Sequence, residues 1–248
     1  MRDYIYHDIE TIPTQDEKIR AQIAENIKPP ANYSKAETIA KWEAESKPAA
    51  VLEAIHKTGL NAGLGHVICI GFCAITGDPN PLIIDDIRDE ASLIRESFSE
   101  IEKLRNRMGA LTIVGHNWIG FDYRFITQRS IILGVQLPAW WPRDPKPWSQ
   151  EVHDTMLMWA GARDTIGMDR LCGYLGIEGK GDDGMDGSVV ANRWEAKDFL
   201  TIAEYCGGDV IRTRNMHQKI IAAYASAMPD LAPAMPVLEA EPVDELRY

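Results

Sequence analysis

No stretch of the 248 residues contains the run of about 18 apolar residues that a membrane-spanning helix requires. The first ten residues, which include Asp3, His7, Asp8 and Glu10, have neither the basic start nor the apolar centre of a secretory signal. The expectation is a cytoplasmic protein with no membrane partner. Paired C-x-x-C cysteines are also missing. The 4 cysteines, Cys69, Cys73, Cys172 and Cys206, lack the spacing of a zinc or redox site and read as reduced structural thiols. Positive charge is scarce, with 26 Lys and Arg against 37 Asp and Glu and a formal net charge of −11. That balance excludes a protein that coats nucleic acid by bulk electrostatics. It leaves room for a local groove beside an acidic centre, where a bound polyanion would depend on divalent cations. No internal repeat is found. What is present is a 45% hydrophobic chain, long enough for one sizeable α/β domain.

Hydrophobic spacing gives the order of elements. Residues 4–9 read as a strand. The segments 15–27, 35–46 and 48–58 carry helical spacing, broken by "KPP" at 28–30 and by Pro48. They form a helical insertion at about 14–65. The run "HVICIGFCAIT" (66–76), the turn residues "GDPN" and "PLIIDD" (81–86) read as a hairpin. An amphipathic helix is predicted over 90–108 with Gly109 as its stop, then a short strand in "ALTIVGHN", then a helix over about 119–133. The stretch "PAWWPRDPKPW" has too many prolines for a regular element and reads as an aromatic loop. A helix at 168–177, a glycine-rich stretch at 178–188 and a closing helix from about 195 to 224 follow. The fold class is α/β, with an antiparallel hairpin in the sheet and helices flanking it. Residues 1–228 are expected to form one domain, and 229–248 an irregular acidic tail.

Three segments place carboxylates where a core is expected. In "YIYHDIETIP", Asp8 and Glu10 are two apart on a strand and so share a face. Two adjacent carboxylates repel unless a cation or proton lies between them, which makes a divalent metal pair a natural occupant. Solvated carboxylates at the end of a half-exposed strand are the plain alternative. In "VGHNWIGFDYRFI" (114–126) an apolar strand runs into His116 and Asn117, with Asp122 in the next helix. Capping by Asn117 and an early-helix anion would account for both as well. In "AEYCGGDVIRTRNMH" (203–217), Tyr205 and Asp209 lie one turn apart on one helix face. Gly207 and Gly208 between them each cost about 1 kcal/mol relative to alanine, so close approach of a backbone or ligand is expected there.

Together these residues resemble the DEDD superfamily of 3′–5′ exonucleases, a branch of the RNase H-like fold. "HDIET" matches a D-x-E motif, "HNWIGFD" an H-N-x-x-x-F-D motif and "YCGGD" a Y-x-x-x-D motif. The histidine form of the third motif needs a His at 204, where this chain has Glu, so the chain resembles the tyrosine form. "EVHDTMLMW", "MDRLCGYLGIEGK" and "GMDGSVV" are similar to segments of family B DNA polymerase exonuclease domains, and especially of the small stand-alone polymerase B-like exonucleases. The insertion at 14–65 and the Trp-rich loop depart from that pattern.

The resemblance implies an RNase H-like mixed sheet and a catalytic set of Asp8, Glu10, Asp122, Tyr205 and Asp209. The four acids would hold two Mg²⁺ or Mn²⁺ ions, and Tyr205 would orient the attacking water. Thr11, Ile12, Asn117 and Phe121 would serve the substrate. Ile12 would wedge between bases, or else simply pack, and Asn117 would fix the turn that presents Asp122. Asp154 would support the site from behind. Trp140, Trp141 and Trp148, with Arg143 and Lys146, would either stack on bases and meet phosphates or pack against the domain. The implied substrate is the 3′ end of single-stranded or frayed DNA, in proofreading, repair or recombination. RNA trimming, and a non-catalytic nucleic-acid-binding subunit, are the alternatives. Too few residues remain for a polymerase domain, so the expected protein partner is a polymerase or annealing protein on another chain; the amphipathic inserted helices would dock it or a second copy of this chain, or else pack on their own domain.

Overall fold

The computed structural model describes residues 3–109, 111–179 and 187–224. Strand β1 (Asp3–Ile12) is the middle of a five-stranded sheet. It pairs antiparallel with β2 (His66–Ala74), which pairs antiparallel with β3 (Asn80–Ile83). On its other side it pairs parallel with β4 (Leu111–Gly115), and β4 pairs parallel with β5 (Val152–Asp154). The order β3-β2-β1-β4-β5 is the expected mixed sheet.

Helices cover both faces, which is why β1 is apolar on both. Ile5 and Ile9 pack with Leu93, Ile94 and Phe98 of α4 (Glu90–Met108) and with Phe125 and Ile126 of α5 (Asp122–Leu133). Tyr4 and Tyr6 point the other way, onto Val210 and Ile221 of the long helix α9 (Phe199–Tyr224). The shorter helices α6 (Thr155–Ala160), α7 (Met168–Tyr174) and α8 (Gly187–Glu195) lie between β5 and α9 in the chain.

The insertion forms α1 (Glu17–Asn26), α2 (Ala36–Glu45) and α3 (Lys47–Lys57), then a 3₁₀ turn, Thr58–Leu60. Asp16 caps α1, and Pro48 sits in the first turn of α3, where its missing N–H has no partner to lose. No described helix is long and apolar enough to cross a membrane.

Several boundaries differ from the sequence expectation. Helix α5 starts at Asp122, because Asn117 takes a left-handed backbone (φ 58°) and the chain turns through 117–121 first. The closing helix expected from about 195 starts at Phe199, and a separate helix, α8, precedes it where none was expected. Helix α8 ends at Glu195, Lys197 is left-handed (φ 57°), and Asp198 receives the Thr201 N–H as α9 begins. In the aromatic loop, Trp141 is buried against Trp118, Tyr123 and Phe98 and donates to Thr127 Oγ1 at 2.9 Å. Trp140 lies edge-on to Phe98 with the Arg105 guanidinium over its ring, while Trp148 is exposed. The glycine-rich stretch falls largely, and the acidic tail wholly, outside the described residues.

Candidate active site

The acidic end of β1 is built by what lies across from it. Asp8 is opposite Gly71 and Glu10 opposite Cys69, and a bulge follows between Glu10 and Thr11. A β-carbon on Gly71 would stand 2.8 Å from Cys206 Sγ and 3.0 Å from Val210 Cγ2. Glycine there lets α9 settle onto the sheet beside Asp8. Cys206 Sγ and carboxylate oxygens of Asp8 and Glu10 consequently lie within 4.8 Å of one another. Asp209 follows Cys206 by three residues, on the same helix face. It is buried and accepts from Arg212 Nη1 at 2.8 Å, and Arg212 also reaches Gly179 O at 3.2 Å. Tyr205 is half-buried against the cluster that holds Ile12, Cys69 and Cys206. The glycine pair meets Pro79, 3.4 Å from a β-carbon on Gly207, and the Arg212 guanidinium, 3.0 Å from one on Gly208.

Asp122 arrives from the opposite face. It occupies the first turn of α5, is buried, and accepts the N–H of Ile9, the residue between the two β1 acids. Burial first, and Asp8 next, push its carboxyl well above the ordinary range. The turn that delivers it is tied to Asp154. That buried carboxylate accepts from Asn117 N and Ile119 N, both at 3.0 Å, and also caps α6 through Met156 N at 3.1 Å. Burial raises the Asp154 carboxyl, and these backbone donors oppose the rise. Asn117 accepts the Phe121 N–H on its carbonyl at 2.9 Å, and its side chain lies directly over Gly120. His116 bridges Thr155 Oγ1 and Ile166 O.

The residues expected to meet substrate separate. Thr11 and Phe121 both line a cavity of about 470 Å³ that opens beside Glu10. Asn117 is a turn residue beneath Asp122. Ile12 is fully buried with Ile68, Cys69 and Val190, so its side chain fills core instead of facing the cavity.

Two features carried no sequence signal. Cys206 stands among the acids, where its hydrogen bond with Cys69, burial and the nearby carboxylates hold it as a neutral thiol. It donates to Asp8 O at 3.7 Å. The ligand atoms offered to a cation are therefore carboxylate oxygens, the donor set of hard divalent ions and not of zinc. The second is a buried ion pair behind the sheet. Arg129 grips Glu90 through Nε (2.7 Å) and Nη2 (2.6 Å) and reaches Ala62 O at 3.1 Å. Burial alone would raise Glu90, but His66, Arg129 and the Val67 N–H outweigh it and hold the carboxyl low.

Residues 62–227 match the family described as predicted 3′–5′ exonucleases related to the exonuclease domain of PolB. The chain belongs to this family. The matched stretch holds the exonuclease family's region around Asp122, Tyr205 and Asp209, while β1 and the insertion helices precede it. Among solved structures the chain is similar to the family B DNA polymerase from the hyperthermophilic archaeon Pyrobaculum calidifontis, at 17% identity and a TM-score of 0.52. The likeness covers 89% of this chain and 25% of the polymerase chain, so the exonuclease-family chain spans about a quarter of the protein it matches. It shows the fold, an RNase H-like mixed sheet flanked by helices. No curated protein matches.

Proposed function

We propose that this chain is a two-metal-ion 3′–5′ exonuclease that hydrolyses the terminal phosphodiester bond of single-stranded or frayed DNA and releases nucleoside 5′-monophosphates. The observation that carries the reading is the interlock of the first two motifs, in which the Asp122 carboxylate accepts the N–H between Asp8 and Glu10. The third motif closes on them through Cys206.

Exonuclease domains of this type normally use divalent metals. Asp8, Glu10, Asp122 and Asp209 would hold two Mg²⁺ or Mn²⁺ ions, which when bound supply an activated water and charge stabilisation for the leaving 3′ oxygen. The chain's own part is positional. Asp154 and Asn117 fix the turn before Asp122, and Gly71 fixes the depth of α9. Tyr205 would hold the attacking water through its hydroxyl, Thr11 and Phe121 would border the terminal nucleotide, and Arg212 would balance Asp209 until cations arrive.

Residues 1–228 would act as one domain carrying the 14–65 insertion. Four free, buried cysteines suit a reducing, cytoplasmic setting. Proofreading would serve a polymerase on another chain.

The test is digestion of a 5′-labelled single-stranded DNA oligonucleotide, beside a matched RNA, in Mg²⁺, Mn²⁺ and EDTA. A metal-dependent ladder is expected, preferring DNA, with Asp8→Ala slowing it by a factor on the order of 10³ or more. A ladder on RNA alone would move the substrate to RNA. Intact oligonucleotides under every condition, from folded protein, would remove the exonuclease reading.

A further inference from the structure

The cavity beside Glu10 is not made by the family-matched residues alone. Phe121 lies in the matched stretch, but Ile9 and Thr11 of β1 and His56, Lys57 and Leu60 of the insertion line it as well. A second groove of about 270 Å³, with Asn61, Arg124 and Gln128, shares Leu60 and Phe121 with the first. Leu60 and Phe121 therefore form an apolar ridge between two grooves, each of which carries a basic side chain.

Leu60 is 70% exposed, yet its backbone is not free to move. Thr11 Oγ1 donates to Gly59 O at 2.9 Å, and Thr14 N donates to Thr58 Oγ1 at 2.9 Å. A β-carbon on Gly59 would meet Ile12 C and Pro13 N at 3.3 Å. The acidic strand itself thus fixes the turn that presents Leu60. An apolar side chain held exposed at the mouth of an acidic centre suits a planar, partly apolar partner such as a nucleobase. Among the described residues the ion-pair partner of Lys57 is Glu53, at 2.6 Å, and both side chains are 68% exposed. An exposed pair of this kind contributes little, so a phosphate can replace the carboxylate.

We infer that the insertion is a strand-binding element. A single-stranded polynucleotide crosses the Leu60–Phe121 ridge with bases packed on either side, and its phosphates meet Lys57 and Arg124. This rests on the exonuclease reading, and it assigns to Leu60 the apolar contact that buried Ile12 does not make.

The experiment compares wild type, Leu60→Ala, Leu60→Phe and Lys57→Glu in binding to a fluorescent oligo-dT, with Ca²⁺ replacing Mg²⁺, and in steady-state hydrolysis with Mg²⁺. Melting temperatures serve as the folding check. Leu60→Ala is expected to weaken binding and raise KM about tenfold, with a smaller change in kcat, and Leu60→Phe to restore most of it. Lys57→Glu should lower the slope of log affinity against log salt by about 0.7, one phosphate contact on a single strand, whereas Leu60→Ala should leave that slope alone. Wild type that cuts DNA while Leu60→Ala and Lys57→Glu bind and cut within twofold of it would overturn this inference and leave the exonuclease reading standing. Wild type that neither binds nor cuts would overturn both.

Discussion

Strand β1 buries side chains on both faces, whereas helices α1 to α3, which follow it directly, contribute no buried residue at all. The strand is held by side-chain packing on two layers. The inserted helices are held mainly where the chain leaves and rejoins the sheet, by Thr11, Thr14, Thr58, Gly59 and Gly65. Regions with few buried apolar contacts open locally at low cost. A rigid acidic floor and a compliant wall therefore meet at one cavity, and only the last turn of the wall shares the stiffness of the floor.

Three changes would break or sharpen this contrast. Arg129→Met takes the guanidinium from buried Glu90, leaving it only His66 and the Val67 N–H among the described residues, and should cost about 3–5 kcal/mol in denaturant unfolding. A loss below 1 kcal/mol would mean that the pair behind the sheet is not part of what makes the floor rigid.

Acid comes next. Burial, with His153 adding to it, lowers the His217 pKa to about 3 from an ordinary 6.5, and its Nδ1 lies 3.2 Å from Tyr6 Oη. The unfolded imidazole takes up a proton below pH 6.5 and the folded one does not until about pH 3. This contribution is thus whole above pH 6.5 and falls by about 1.4 kcal/mol per unit as pH drops below it. Calorimetry between pH 7 and 4.5 should show the slope, and His217→Gln should be shallower by one proton. An unchanged slope in the variant would refute the assignment.

The smallest effects lie in the insertion, and they should be unequal. A β-carbon on Gly65 would sit 2.8 Å from both Ile12 O and Thr58 O, so Gly65→Ala should cost about 1–3 kcal/mol. Leu52→Ala, at a side chain 54% exposed in α3, should stay within about 0.5 kcal/mol. Equal losses on thermal unfolding would show that the helices are held as firmly as their anchor.

The parts of this molecule that could be read in its sequence are those written in one short segment. Asp8 and Glu10 stand out because they interrupt an apolar strand, and Tyr205 and Asp209 because one helical turn separates them. Helix α4 was bounded correctly because Gly109 ends it. The start of α5 was not, because the left-handed turn at Asn117 is stabilised by Asp154, which lies 37 residues away. Strand β5, at three residues, is too short to carry a period. For Ile12 the family resemblance implies a wedge between bases and its apolar character plain packing, and the side chain is fully buried. What covers it is Val190 of α8, a helix that hydrophobic spacing does not announce after the glycine-rich stretch. The Glu90–Arg129 pair spans 39 residues, and no local spacing announces it.

The hydrogen bond from Thr14 N to Thr58 Oγ1 closes a loop whose ends are 44 residues apart in sequence. Closing a flexible loop costs more as it lengthens, but only by about 0.6 kcal/mol for each doubling. Helices can therefore be gained or lost between those two threonines with almost no effect on the sheet. The segment from Thr58 to Gly65 has no such latitude, since Gly59 and Gly65 touch the backbone at Ile12. The loop-closure cost leaves the length of this insertion nearly free, while its exit is fixed to the residue.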